Sequence, residues 1–278
     1  MNPFLDPHTA PSVCPKSNVL VRALRTLRYK AASTGLPITE NERRLKALRD
    51  QHRGERCFII GNGPSLNELD LTLLKDECTF GVNAIYTNKE KMGFFPTYYV
   101  VEDVFVAEDR KEEINSFHGS TKFFGNYFHY CLDSDDSTIW LNVIFDYRNY
   151  SNFPNFSTDA LRRVWVGGTV SYICMQLAYY MGFSEVILVG FDHSYKIPND
   201  AIVEGNDILS TGDDPNHFDS NYFGKGKRWH DPRVDRMELA YRKAREFFEL
   251  DGRKIMNATA GGKLEVFDRV DYAECFHK

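Results

Sequence analysis

Three groups of residues in this chain have types and spacings that could do chemistry. The first is Gly61-Asn62-Gly63-Pro64-Ser65-Leu66, reached through the apolar run Cys57-Phe58-Ile59-Ile60. An apolar run that ends in glycines is how a buried parallel strand enters a tight turn. Gly61 and Gly63 permit positive φ and close backbone approach, and Asn62 and Ser65 bring polar side chains to the mouth. Ser65 with Glu68 three residues on reads as a capping box that opens a helix. Strand, glycine turn and helix N-terminus together make an anion site, because unpaired N–H groups and the helix dipole point at one spot. The same pattern suits an ordinary strand-to-helix turn. The spacing matches neither G-x-G-x-x-G nor a P-loop, since no Gly-Lys-Ser/Thr follows.

The second group is Gly167-Gly168-Thr169-Val170-Ser171, which opens an apolar helix expected over 169–181. It is a second candidate phosphate cradle by the same logic, and otherwise a flexible cap. The third group is polar and titratable. Asn83, Glu102-Asp103 and Gly190-Phe191-Asp192-His193 each follow an apolar run, and Asn257 and Thr259 follow another. The Asn83 amide can donate and accept, as a base edge or ribose requires, although Asn also commonly ends strands. Asp192 could hold a hydroxyl or amine, fix His193 as an acid–base group, or cap the next turn. Between 216 and 231 lie Asn216, His217, Tyr222, Lys225, Lys227, Arg228, Trp229, His230 and Asp231. Imidazole, cation and aromatic ring in one glycine-containing loop are what an active-site lid needs; a solvated basic loop is the plainer alternative. No H-E-x-x-H occurs, His217 and His230 are far apart in sequence, and Glu102-Asp103 lacks Asp-x-Asp spacing, so no required metal is expected.

The elements that must position these residues alternate. Strands are expected at 57–60, 79–82, 98–101, 121–124, 185–189 and 254–256, with helices near 66–75, 105–116, 169–181 and 232–250. Residues 126–165 read as an irregular aromatic insertion, and 196–228 as a long polar loop. This alternation predicts an α/β fold: a single Rossmann-like, mostly parallel sheet with helices on both faces over 55–278, plus an N-terminal helical extension over 1–54. In such sheets ligands bind outside the carboxyl ends of the strands, where Asn62, Asn83, Glu102, Asp103, Asp192, Asn257 and Thr259 fall.

A net charge of −5 argues against a nucleic-acid binder. The six cysteines include no Cys-x-x-Cys pair and fit reduced thiols in a cytoplasmic protein. No run of 18 apolar residues and no charged-apolar-small leader is seen, so neither a membrane span nor a signal peptide is expected. Residues 1–17 read as irregular. Over 18–32, Val19, Leu20, Leu24 and Leu27 alternate with Arg22, Arg25, Arg28 and Lys30. Such a basic amphipathic helix can lie peripherally on the inner membrane surface, pack on its own domain, or join a homo-oligomer. A second charged helix is expected at about 39–52.

Gly61-Asn62-Gly63-Pro64-Ser65-Leu66 followed by Val82-Asn83-x-x-Tyr86 resembles the opening of the bacterial sialyltransferases of glycosyltransferase family 42. The helix from Thr169, with Gly182-Phe183-x-Glu185-x-Ile187-x-x-Gly190-x-Asp192, resembles their second nucleotide-contacting unit. His230, five residues before Asp235, matches the placement of their catalytic histidine. Residues 56–270 also resemble the broader domain family named after 6-hydroxymethylpterin diphosphokinase, many members of which belong to surface-polysaccharide systems. The chain departs from the sialyltransferases at Glu102, where they carry Asn, and at Val170, where they carry a serine that Ser171 can replace. The Asp/His-rich metal signature of the pterin kinases is not found.

The resemblance implies an inverting glycosyltransferase that moves an acidic sugar of the sialic acid or Kdo type from a CMP-sugar donor to a glycan hydroxyl. Gly61, Asn62, Gly63, Pro64, Ser65, Asn83, Glu102, Thr169, Ser171, Gly190 and Asp192 would hold the nucleotide. His230 would be the base, with Tyr195, Tyr222 or Lys227 at the departing phosphate. No cofactor is required on this reading, with Mg²⁺ not excluded. The alternatives are an ATP-dependent pyrophosphokinase using Glu102, Asp103 and Asp192 for Mg²⁺, and a non-catalytic nucleotide-sugar-binding protein.

Overall fold

The computed structural model describes residues 19–145 and 154–276. The expected irregular segment 1–17 lies outside the described residues. Two helices, α1 (Val19–Ser33) and α2 (Glu40–Ala47), come first. Thr39 and Glu42 start α2 with a reciprocal capping box, and each satisfies an amide that the helix leaves unpaired. Then come β1 (Arg56–Ile60), β2 (Thr79–Val82), the one-turn α3 (Lys89–Met92), β3 (Tyr98–Val101), α4 (Val104–Asp109), α5 (Lys111–Ser116) and β4 (Thr121–Gly125). The chain continues through β5 (Thr138–Leu141), β6 (Val143–Ile144), β7 (Val164–Trp165), α6 (Val170–Met181) and β8 (Glu185–Val189). It closes with β9 (Ile202–Glu204), β10 (Asp207–Leu209), β11 (Arg228–His230), α7 (Val234–Leu250), β12 (Lys254–Asn257) and β13 (Asp268–Arg269).

Eight strands form one sheet in the order β13-β12-β8-β1-β2-β3-β4-β5, and every pairing in it is parallel. The strands are apolar on both sides because both sides are covered. Cys57, Ile59, Phe80, Val186 and Leu188 meet α6 and α7 on one face. Phe58, Ile60, Ile187 and Val189 meet α4, α5 and two 3₁₀ turns on the other. α6 is apolar almost all round and correspondingly buried, ending at Gly182 in the left-handed region. From β1 the chain builds outward through β2 to β5, then returns to place β8 on the opposite side of β1. That reversal leaves a crevice between the carboxyl ends of β1 and β8, where open α/β sheets bind ligands.

Several expectations need correction. The helix expected at 66–75 is two 3₁₀ turns, Pro64–Glu68 and Leu71–Leu74, because Asp70 caps Thr72 and starts a new turn. The helix expected at 105–116 breaks at Arg110, whose guanidinium is drawn to the carbonyls of Asn221 and Tyr222. The supposed insertion supplies the edge strand β5 and the small parallel pair β6–β7; its residues 146–153 lie outside the described residues. The supposed polar loop contains β9 and β10, which join β11 in a three-stranded antiparallel sheet. β13 adds an edge strand that the sequence did not announce. The second charged helix is α2, which ends at Ala47 and is held against β5 by Asn41 and Arg44.

Candidate active site

The crevice between β1 and β8 is lined from both strand ends. Gly61 N donates to Val189 O at 2.8 Å, and Gly63 N donates to Gly190 O at 3.0 Å. A Cβ on Gly61 would overlap the Gly190 carbonyl, and one on Gly63 would overlap the Asp192 carboxylate. Ser65 Oγ donates to Asp192 Oδ2 at 2.6 Å and Ser65 N to Oδ1 at 3.2 Å. The first glycine turn therefore serves to join two strand ends. Of the backbone donors in the phosphate cradle expected there, those of Gly61, Gly63 and Ser65 are already bonded and Pro64 has none, which leaves the Asn62 amide at the cleft. Gly63 is the cap residue, and the helix expected to follow is a five-residue 3₁₀ turn. Pro64 and Ser65 stand behind the cleft, while Gly61, Asn62, Gly63, Gly190 and Asp192 line it.

Asn62 and Asn83 give the cleft a polar corner. Asn62 Nδ2 donates to Val82 O at 3.2 Å and to the Tyr222 hydroxyl at 3.0 Å, while its Oδ1 is buried without a partner. Asn83 has φ of +50°, a conformation Asn tolerates, so the chain turns sharply at the end of β2. Its Oδ1 is also buried and unpartnered. Buried acceptors without donors are uncommon in folded proteins, and the two residues that carry them here both line one cleft.

The titratable centre is at the end of β3. Asp103 Oδ1 accepts from Val106 N at 2.9 Å, capping α4, and Oδ2 lies 3.1 Å from Nδ1 of His230. The β10–β11 pairing sets Asp207 directly opposite His230, with Oδ1 3.6 Å from Nε2. The imidazole stacks on Phe105 at 4.3 Å between ring centroids. Burial opposes the charged imidazole, but Asp103, then Asp207 and Glu102, outweigh it and hold the His230 pKa above its usual value. Burial likewise pushes Asp103 upward, but His230 and the amides of Val106 and Phe105 prevail and hold it low. At Glu102 the balance tips the other way: burial, with Asp103 alongside, outweighs the pull of His230 and pushes its carboxyl up to about 7.

Two other histidines line the cleft. His217 Nδ1 lies 2.7 Å from Asp214 Oδ2, and its ring stacks on Tyr222. Burial pushes Asp214 upward, but His217 and two backbone amides hold it low. His193, with φ of +52°, sits 3.5 Å from Glu238, and burial keeps its pKa below the ordinary value. Asp192 does not orient His193, because its carboxylate is engaged by Ser65. His230 is not in a loop but ends β11, and Pro232 precedes the helix instead of opening it.

The second glycine turn differs from the first. Thr169 is the N-cap of the twelve-residue α6, yet its side chain bonds no helix amide. Its hydroxyl pairs with Ser171 Oγ at 2.7 Å, and Ser171 reaches the Tyr241 hydroxyl at 3.1 Å. Thr169, Val170 and Ser171 all line the cleft at the positive end of the helix dipole. Tyr195 and Tyr222 line it too, with the Tyr222 oxygen taken by Asn62. Lys227 is corrected: its Nζ donates to Asp109 O at 3.1 Å, outside the cleft. No lysine or arginine is among the lining residues. Among the described residues, no three His, Cys, Asp or Glu side chains converge to cage a metal ion.

Sequence reasoning missed Asp207, Phe105 and Tyr241 as contributors. Only recognition of β10 as a strand partner of β11 would have put Asp207 opposite His230.

No curated protein matches the chain. Among solved structures it is similar to the MAf glycosyltransferase from Magnetospirillum magneticum AMB-1, at 15% identity and a TM-score of 0.46. That likeness covers 91% of this chain but 42% of the other, so the chain spans less than half the length of that protein. The family model of 6-hydroxymethylpterin diphosphokinase MptE-like proteins matches residues 36–198, from the approach to α2 through β8 and the cleft's first wall. The chain belongs to the 6-hydroxymethylpterin diphosphokinase MptE-like family.

Proposed function

We propose that the cleft binds a nucleotide-activated sugar and transfers the sugar, with inversion, to a hydroxyl of a glycan. The donor class is a CMP-linked acidic sugar of the sialic acid or Kdo type. The observation that carries this reading is the Asp103–His230 pair, which shares a cleft with the unsatisfied amide oxygens of Asn62 and Asn83. It places an acid–base group beside a polar corner suited to ribose or a base. The phosphate would meet the first turn of α6 with the Thr169 and Ser171 hydroxyls, a set of fixed donors for developing charge.

In the transfer, the acceptor O–H gives its proton to Nε2 of His230. The freed oxygen bonds the anomeric carbon while the bond from that carbon to the phosphate oxygen breaks, and that electron pair leaves with CMP. Asp103 on Nδ1 and Asp207, 3.6 Å from Nε2, hold the ring between two carboxylates and stabilise the imidazolium that forms. The resting imidazole must first be neutral. Its pKa is raised, so the base form appears only as pH climbs through a value above the ordinary 6.5. Turnover should therefore rise on an alkaline limb and then level off.

His230→Ala should cut turnover by about 10²–10⁴-fold and leave CMP affinity nearly unchanged. Near-normal turnover in this variant, with a larger loss in His193→Ala or His217→Ala, would sink the assignment.

A second reading is an ATP-dependent pyrophosphokinase acting on a pterin-like alcohol. It is favoured by the lack of lysine and arginine in the lining, since phosphates beside Glu102, Asp103 and Asp192 call for a countercharge. The protein alone offers no cage, but Mg²⁺ is commonly held by one or two carboxylates together with substrate phosphates. Thermal-shift measurements with CMP and with ATP–Mg²⁺ separate the readings. Sugar transfer that survives EDTA supports the first; loss with EDTA, restored by Mg²⁺, supports the second.

A further inference from the structure

We propose that the exposed face of α1 docks the protein on an anionic phospholipid surface. The large exposed apolar residues are concentrated there: Val19, Leu20, Leu24 and Leu27 on α1, with Leu36 and Ile38 in the turn that follows. Leu20, Leu24 and Leu27 are 65%, 58% and 63% exposed, so this is a face open to solvent and not the rim of a packed one. At 3.6 residues per turn these three leucines fall on one stripe. Tyr29 lies on the opposite side of the helix and is buried, as is Ala32. Arg28 pairs with the buried Glu42 at 2.7 Å and fastens the same end of the helix to α2. The helix is thus anchored by one side and presents leucines on the other.

Charge selects the occupant. Between Asp6 and Glu40 the chain has no acidic residue and four Lys or Arg residues besides the Arg28 that pairs with Glu42, although the whole chain carries −5. A second copy would bring one cationic helix against another, and like charges at close range repel. An anionic bilayer accepts both features, because leucines enter the acyl boundary while lysine and arginine remain among the headgroups.

The test is co-sedimentation of the full chain with phosphatidylcholine vesicles and with vesicles that also contain phosphatidylglycerol. Binding should be confined to the anionic vesicles and weaken as salt rises. Leu20→Ser/Leu24→Ser/Leu27→Ser should reduce it at least about tenfold, and Lys30→Glu should reduce it less. The leucines are exposed, so the melting temperature of the triple variant should match that of the parent. Equal binding to both vesicle types, or anionic binding that the triple variant retains, overturns the proposal. A concentration-dependent dimer abolished by the triple variant, with no vesicle binding, also overturns it and assigns the face to a second copy.

Discussion

The two glycine turns, 61–65 and 167–171, look alike in sequence and do different work. Each follows a strand, contains two glycines, and offers a hydroxyl at the start of the next element. In the first, every donor but the Asn62 amide points back into the protein: Gly61 bonds the end of β8, Gly63 bonds Gly190 just beyond it, and Ser65 bonds Asp192 with both its amide and its hydroxyl. In the second, a full α-helix begins with no side-chain cap, and its opening residues line the cleft. An anion site depends on which amides remain unpaired, and glycine spacing does not report that. The first turn is a joint between strands, and the second is the better candidate for holding phosphate.

The sharpest way to break this comparison is to add one methyl group to each turn. Gly63→Ala would drive a Cβ into the Asp192 carboxylate, with β8 behind it, and should lower stability by more than about 3 kcal/mol in urea unfolding. Gly168 has φ of +79° but only open space, with Arg236 Cβ 3.5 Å from the added atom. Gly168→Ala should cost about 1 kcal/mol, the strain of the left-handed region alone. Equal losses would mean that the strand-end joint is not what the first turn provides.

What could be read from sequence follows the same division between local and tertiary causes. β1, β2, β3, β4, β8 and β12 were legible because strands covered on both faces are nearly continuous apolar runs. β9 was not, because all three of its residues are exposed and its existence depends on pairing with β10. α4 and α5 read as one helix because Arg110 breaks it for a distant reason, its bonds to residues 221 and 222. Asn62, Asn83, Glu102, Asp103 and Asp192 converged as the strand-end rule implies, whereas Asn257 and Thr259 lie outside the lining and bond neighbouring backbone, and His230 arrives from β11 of the smaller sheet. Lys227 did not, because the Lys227–Arg228 pair is drawn to Asp109 at the negative end of α4, with Arg228 also bonding Glu108. The unpaired amide oxygens were invisible in sequence, since each depends on what the neighbouring strands leave unsatisfied.

A smaller effect distinguishes joint from cradle at Ser65. Ser65→Ala removes, from behind the cleft, a 2.6 Å bond to the Asp192 carboxylate and leaves only the amide bond at 3.2 Å. Stability should fall by about 1–3 kcal/mol, the range for hydrogen bonds to charged groups. Nucleotide affinity should stay within about twofold of the parent at a temperature where both are folded. A loss of affinity at unchanged stability would return the phosphate to the first turn.

The smallest expected effect is at the second turn and is a matter of selectivity. Thr169 caps α6 without bonding it, so its hydroxyl adds little to the helix and is held toward the cleft by Ser171. Thr169→Val keeps the shape of the side chain and removes only that donor, while Ser171 retains the Tyr241 hydroxyl as a partner. If α6 meets the phosphate, the variant should bind CMP about three- to tenfold more weakly, roughly one hydrogen bond to a charged group. Its affinity for cytidine, which has no phosphate, should not change. Calorimetric titration of both ligands into both proteins reads the difference directly. Equal weakening for cytidine and CMP would place Thr169 at the nucleoside, and no change for either would leave α6 without a part in binding.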